Sequence, residues 1–351
     1  MKNLLHFFRL VRFGNLMVIG ATMLVIQIFI VCHENGNSIS QILTSTESFS
    51  QKYLTSFQLN FNFLLLILSV MLIAGAGNII NDYFDVKADR VNKPERLIIG
   101  KHIKRRWAIM FNWIFNIIGL GFAIYLSYIN SNWWIAGIAF VTINFLWFYS
   151  AVYKRKLFVG NLLVALMVGI VPIYVMIYNL PIYGFQMDVG KAYVEMGPFF
   201  IYEVVIIISV IAFVINLMRE LIKDMADIRG DVHLAAKTVP IALGIRRTKT
   251  ILFVILIPLL LLMAYYIFDI YYYANILNAV PVKKISAGMD TAHLNNITAF
   301  NSIVILSGVS CIISFIILLT ANNRKSYIRS AKVLKLAMLF GMLSPLFLCY
   351  A

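Results

Sequence analysis

Runs of about 20 apolar residues, the length a helix needs to cross the hydrocarbon core of a bilayer, recur along the whole of this chain. They fall at about 14–32, 58–80, 107–128, 132–150, 159–179, 199–218, 250–269, 301–320 and 333–350. Inside lipid every backbone N–H and C=O must find its partner within the segment, so runs of this kind form helices. The expectation is therefore an all-α, polytopic membrane protein. Nine transmembrane helices make one domain over 1–351, and only Asn130-Ser131-Asn132 separates the third run from the fourth. Composition agrees: 13% of residues are charged, about half the share of a soluble domain.

The basic residues set the orientation, because Lys and Arg concentrate in inner loops. With the N-terminus inside, only Lys52, Lys191, Lys283 and Lys284 of the 30 Lys and Arg fall on the outer side. One missed helix would invert every later loop and scramble that bias. The C-terminus is thus expected outside, and the basic inner face suits the cytoplasmic side of a cell inner membrane. A net charge of +15 would suit nucleic acid, but these residues sit in short segments between apolar runs and form no stripe. No nucleic-acid partner is expected.

The first run, Leu16 to Val31, is longer than a signal-peptide core and no small-x-small site follows it, so it reads as a retained helix. Cys32, Cys311 and Cys349 lie far apart in or beside apolar segments. They read as buried small hydrophobes. Three outer loops, 33–57, 180–198 and 270–300, are long and rich in Ser, Asn, Tyr and Thr.

The acids are few and clustered. Eight of the fifteen Asp and Glu lie in two stretches, Asp82 to Glu95 and Glu220 to Asp231, each following the inner end of a predicted helix. Asp82, Asp85 and Asp89 are three and four residues apart, and so are Asp224, Asp227 and Asp231. At about 100° per residue such positions share an arc of roughly 60° on one helical face, and Asn78 falls within the first arc. Three carboxylates on one face repel and call for a cation. Hard oxygen ligands suit Mg²⁺, which typically takes one or two carboxylates together with waters and phosphate oxygens. Two facing clusters are therefore expected to hold Mg²⁺ around a diphosphate.

Arg90, Lys93 and Arg96 follow the first cluster, Arg219, Lys223, Arg229 and Lys237 surround the second, and Lys154 and Arg155 occupy a third inner loop. Their charge-assisted hydrogen bonds suit phosphate oxygens. A solvated loop charge is the plain alternative for any one of them. For the acids that alternative is weaker, because a solvated face does not require the same spacing twice.

At these residues the chain resembles the UbiA superfamily of intramembrane prenyltransferases. Asn81, Asp82, Asp85 and Asp89 resemble that family's N-D-x-x-D-x-x-x-D motif, continuing into Asn92-Lys93-Pro94-Glu95-Arg96 and Gly100. Asp224, Asp227 and Asp231 resemble its second motif, followed by Lys237-Thr238-Val239-Pro240 and Gly244. Tyr149 to Arg155, with Gly160-Asn161, is similar to its tyrosine-to-lysine segment. Arg12-Phe13-Gly14-Asn15 is similar to its Arg-Pro-x-Asn with the proline replaced.

The resemblance implies a helical bundle around a central cavity, with Mg²⁺-diphosphate at the polar end and the prenyl tail along the apolar length. It implies that Asp82, Asp85, Asp224 and Asp227 are catalytic and bind Mg²⁺ together with Asn78, Asp231 and a supporting Asp89. It implies substrate contacts from Asn15, Arg90, Lys93, Arg96, Tyr149, Tyr153, Lys154, Arg155, Lys223 and Lys237. The implied reaction moves a prenyl group from an isoprenoid diphosphate to a lipophilic acceptor within membrane lipid. The motif details are closest to the branch that transfers geranylgeranyl, from geranylgeranyl diphosphate, to geranylgeranylglyceryl phosphate. An aromatic quinone precursor of the 4-hydroxybenzoate, homogentisate or naphthoate type stays open as acceptor. An ion or substrate transporter is a further alternative, although its acids would be expected near the bilayer midplane rather than in basic inner loops. His102 and His233 stand near the clusters and are left outside the catalytic set.

Overall fold

A computed structural model of the protein describes residues 2–35, 61–92, 94–180, 196–233, 236–279 and 290–348. Lys93, Cys349, most of the loops 33–57 and 180–198, and 280–289 within 270–300 lie outside the described residues, whereas 270–279 and 290–300, expected as loop, are helix. The described chain is helical: α1 (Lys2–Leu10), α2 (Phe13–Asn35), α3 (Phe61–Asn92), α4 (Arg105–Ile129), α5 (Trp134–Ala151), α6 (Val159–Asn179), α7 (Met196–His233), α8 (Val239–Leu243), α9 (Ile245–Ala279), α10 (Asp290–Thr320) and α11 (Arg324–Leu343). Among the described residues nine helices are long and apolar enough to cross a membrane, in the order the sequence indicates.

The span edges differ in an informative way. The apolar runs end near 80 and 218, yet α3 and α7 continue as unbroken helix to Asn92 and His233. With 32 and 38 residues they measure about 48 and 57 Å at 1.5 Å per residue, well beyond the roughly 30 Å hydrocarbon core. Their polar ends are therefore rigid extensions of buried rods. The last span begins at Arg324 instead of near 333, so its first turns carry the basic residues expected in a loop. The N-terminal segment is a separate short helix, α1, and the chain kinks into α2 where Arg12 takes a left-handed φ of 55°.

Neighbouring helices pack in sequence, and α2 closes the ring by touching α11 and the 3₁₀ turn Ser344–Leu348 that follows it. Of the nine spans, α3 and α7 are the most buried, and they pack on each other. Lipid tails are as apolar as the side chains, so close packing and interhelical hydrogen bonds hold such a bundle, each bond worth about 0.6 kcal/mol. Ser69 donates to the Gly119 carbonyl at 2.7 Å and Asn112 to that of Ala76 at 2.9 Å, fixing α4 on α3. Ser314 and Ser330 lock α10 to α11 through their hydroxyls, 2.8 Å apart. Asn132 donates to the Ile177 carbonyl at 2.8 Å and accepts from the Trp134 amide at 3.2 Å. That residue makes the narrow 130–132 connection a real turn. Cys32 and Cys311 are buried thiols.

Candidate active site

The packing of α3 on α7 brings the two aspartate stretches to the same end of the bundle. Both lie on the C-terminal halves of their helices, and Asp89 and Asp231 fall in the last turns. There the helix dipole is negative and adds to the repulsion among carboxylates. Each cluster meets that problem with groups brought in from other elements.

Arg12, at the α1–α2 kink, places Nη2 2.6 Å from Asp82 Oδ1. Lys154, in the 3₁₀ turn Tyr153–Arg155, donates to Asp85 and, at 3.1 Å, to Asn81 Oδ1. Asn161, in the first turn of α6, donates to Asp224 Oδ2 at 2.8 Å. Arg324, which opens α11, stands 3.3 Å from Asp227 Oδ1. Glu220 accepts from Lys223 at 2.5 Å and from Arg219 at 3.1 Å. The two clusters share one field. Lys154 lies in electrostatic reach of Asp224 and Glu220 as well as Asp85, and Arg12 reaches Asp85 and Glu220 as well as Asp82. Burial works to lower the pKa of the Lys154 ammonium, but the Asp85 carboxylate outweighs it and holds the group above its usual value. For Arg12 burial also opposes the charge, and Asp82 again overcomes it.

Most of the residues singled out in the sequence gather here, with different partners than expected. Asp82, Asp85, Asp224 and Asp227 each bond a group from another element. Asp89 and Asp231 are half-buried further along the same helices. Asn78 gives its amide N–H to the Val11 carbonyl at 3.0 Å. Lys223 turns back to Glu220 instead of to the aspartates after it. Tyr149 is half-buried within electrostatic reach of Lys154, Asp85, Asp224 and Glu220. Tyr153 is also half-buried, with the Lys156 ammonium 5.0 Å above its ring. Asn15 Oδ1 accepts from Lys335 at 2.8 Å. Arg90 and Lys237 are exposed. Arg96 and Arg155 belong to the 3₁₀ turns Pro94–Arg96 and Tyr153–Arg155.

Arg12, Asn161, Glu220 and Arg324 were not among the residues singled out for the site. A signal for Glu220 was present: it precedes Asp224 by four residues, as Asn78 precedes Asp82. Both arcs therefore carry a fourth oxygen side chain at the same offset.

Among the described residues no three His, Cys, Asp or Glu side chains converge as a ready metal cage. Mg²⁺ is usually held by one or two carboxylates with waters and substrate phosphates rather than by an all-protein shell. The chemistry of the donor set agrees. Asp82, Asp85 and Asp227 are hard oxygen ligands that already attract a cation, and Asp224 faces the neutral amide of Asn161.

Residues 53–319 match the UbiA prenyltransferase family. The digeranylgeranylglyceryl phosphate synthase of Thermococcus gammatolerans is 33% identical over 184 residues, 52% of this chain and 58% of that protein. That of Pyrococcus abyssi is 35% identical over 187 residues, 53% of this chain and 58% of that protein. That of Methanosarcina mazei is 27% identical over 280 residues, 80% of each chain. The chain thus spans a little over half the length of the first two relatives. A solved structure of a digeranylgeranylglyceryl phosphate synthase in membranes shares the fold, with a TM-score of 0.55 at 20% identity over 99% of this chain and 98% of that one. The apo structure of a UbiA homologue from Aeropyrum pernix K1 has a TM-score of 0.50 at 12% identity over 91% of this chain and 96% of that one.

Proposed function

Because the chain belongs to the UbiA prenyltransferase family, we propose that it transfers a prenyl group from a Mg²⁺-bound isoprenoid diphosphate to a lipophilic acceptor. The donor is geranylgeranyl diphosphate and the acceptor geranylgeranylglyceryl phosphate. The likeness to digeranylgeranylglyceryl phosphate synthases supports that choice. The reading places the protein in a cell inner membrane with the site on the cytoplasmic side.

One observation carries the proposal. Two carboxylate sets of identical spacing sit on adjoining helices, and cations from three other parts of the fold reach them. Asp82, Asp85, Asp224 and Asp227 offer the oxygens for Mg²⁺, with Asn78, Asp89 and Asp231 on the same faces. Bound there, Mg²⁺ would neutralise the diphosphate as a leaving group. Arg12 and Lys154 then pass their hydrogen bonds from aspartate to phosphate oxygens, with Lys93, Arg96 and Arg155 in the adjoining segments. Tyr149, half-buried beside both clusters, presents a ring to the electron-poor first carbon of the prenyl chain, an attraction worth about 2 kcal/mol where water is excluded. The apolar interior holds the rest of the chain and keeps water from the reacting carbon.

Asp82→Ala tests the assignment. Diphosphate release from geranylgeranyl diphosphate is expected to vanish while the helical circular dichroism and the melting profile stay those of a folded protein. Retained turnover with Mg²⁺ bound would contradict it.

A further inference from the structure

The two carboxylate sets repeat position for position: Asp82, Asp85 and Asp89 stand to one another as Asp224, Asp227 and Asp231 do. Lys154 reaches the second position of the first set, Asp85, and Arg324 reaches the second position of the other, Asp227. The lysine has a task in the reading above, and the arginine has none.

In sequence Arg324 is one of several inner-loop cations of the kind that set orientation. It opens α11 ahead of Lys325, Arg329 and Lys332, which are all exposed. Arg324 turns instead toward α7, and the fold holds the base of its side chain firmly. Lys249 of α9 donates to the Leu319 and Ala321 carbonyls at 3.0 Å each, Tyr327 donates to the Ala321 carbonyl at 3.2 Å, and Asn323 caps the helix. The head of the side chain is held far less. Its Nη2 stands 3.3 Å from Asp227 Oδ1, longer than the roughly 2.7–2.9 Å of a strong charge-assisted bond. Its Nε is buried and finds no hydrogen-bond partner among the described residues. A guanidinium binds a carboxylate or a phosphate best through two parallel N–H groups, so Arg324 leaves part of its fork unused. A buried charged donor without a partner is destabilising. A phosphate oxygen would satisfy it at the loss of one long contact.

We propose that Arg324 is a ligand of the diphosphate. In the resting protein it offsets the charge of Asp227. When Mg²⁺ takes the Asp227 oxygens, the guanidinium turns its fork to a phosphate oxygen. There it steadies the charge that builds on the diphosphate as its bond to the prenyl carbon breaks. The proposal rests on the donor-site reading above and adds α11 to the elements that hold the leaving group.

The test is binding of Mg²⁺ alone, and of inorganic pyrophosphate with Mg²⁺, to the full chain in detergent. Wild type is compared with Arg324→Gln and Arg324→Lys. Pyrophosphate should bind Arg324→Gln about tenfold or more weakly, the worth of one hydrogen bond to a charged group. Mg²⁺ alone should bind that variant at least as tightly as wild type, because a cation competing for Asp227 has gone. Arg324→Lys keeps the charge and lacks the fork, so it should recover part of the pyrophosphate affinity. If the glutamine variant does not fold, the lysine variant carries the test, and wild-type affinity in it would overturn the role of the fork. An arginine that only ties α11 to α7 would weaken both ligands alike when removed, and that result would overturn the proposal. Unchanged pyrophosphate affinity in Arg324→Gln would overturn it too, while leaving the donor site standing. No Mg²⁺-dependent pyrophosphate binding by wild type would overturn the donor-site reading and this proposal with it.

Discussion

Lys154 shows how much rests on single side chains at this site. It comes from a three-residue turn, contacts Asp85 and Asn81, and feels the second cluster through Asp224 and Glu220. Lys154→Met should lower diphosphate release by about 10² or more, the usual cost of removing one donor aimed at developing charge. Activity within a few-fold of wild type would argue that the lysine only sets topology. The sign of its pKa shift gives a second expectation. A group whose folded pKa is raised contributes stability fully below its unfolded pKa, near 10.4 for lysine, and loses it only as pH rises through the folded value. The difference in melting temperature between wild type and Lys154→Met should therefore be flat from pH 6 to 9. A difference that shrinks across that window would contradict the raised value. At this scale the carboxylates were legible and their partners were not. The spacing of Asp82, Asp85 and Asp89 is local and follows from helix geometry. Arg12, Lys154 and Arg324 reach their aspartates from 70, 69 and 97 positions away, and no periodicity encodes such pairings.

Among the elements, α6 positions Lys154 from behind. Gly160 lies against the turn before it, so an added Cβ would come within 2.9 Å of both Lys154 Cα and the Tyr153 carbonyl oxygen. These are backbone atoms that yield only if the turn moves. Gly160→Ala should cost about 1–3 kcal/mol of stability, as overpacking does, and should also reduce diphosphate release, because Lys154 is carried off Asp85. Gly169→Ala is the control. Its Cβ would meet Phe213 Cβ at 2.9 Å and the Ser209 carbonyl at 3.0 Å, where α6 crosses α7 away from the turn. It should destabilise to a similar extent while the folded fraction keeps its turnover per molecule. Equal loss of specific activity in both variants would show that the turn has no special role. Helix existence was readable from hydropathy, but helix ends were not. The polar ends of α3, α7 and α11 continue as helix because packing and capping hold them, as where the Asn323 side chain accepts from the Ser326 amide at 2.9 Å.

For the whole molecule, the order of the nine spans among the described residues and the basic bias lead to one prediction, that the N-terminus is on the inner side and the C-terminus on the outer. A fluorescent reporter that matures only inside should therefore light up when fused to the N-terminus and stay dark at the C-terminus. Signal from both ends would require an even number of spans and would contradict the topology. The all-helical class and the order of the spans were legible because lipid leaves the backbone few options. The closure of the ring by α2 against α11, and the cleft formed there, were not, since sequence does not say which lipid-facing helices meet.

The most direct test of the account is product analysis by mass spectrometry. Purified protein is incubated with Mg²⁺ and geranylgeranyl diphosphate and offered either geranylgeranylglyceryl phosphate or a panel of aromatic acids. The account predicts diphosphate release and an ether-linked lipid carrying two geranylgeranyl chains. Product with an aromatic acid alone would keep the transfer chemistry and contradict the acceptor, and no diphosphate release with either acceptor would contradict the enzyme reading itself.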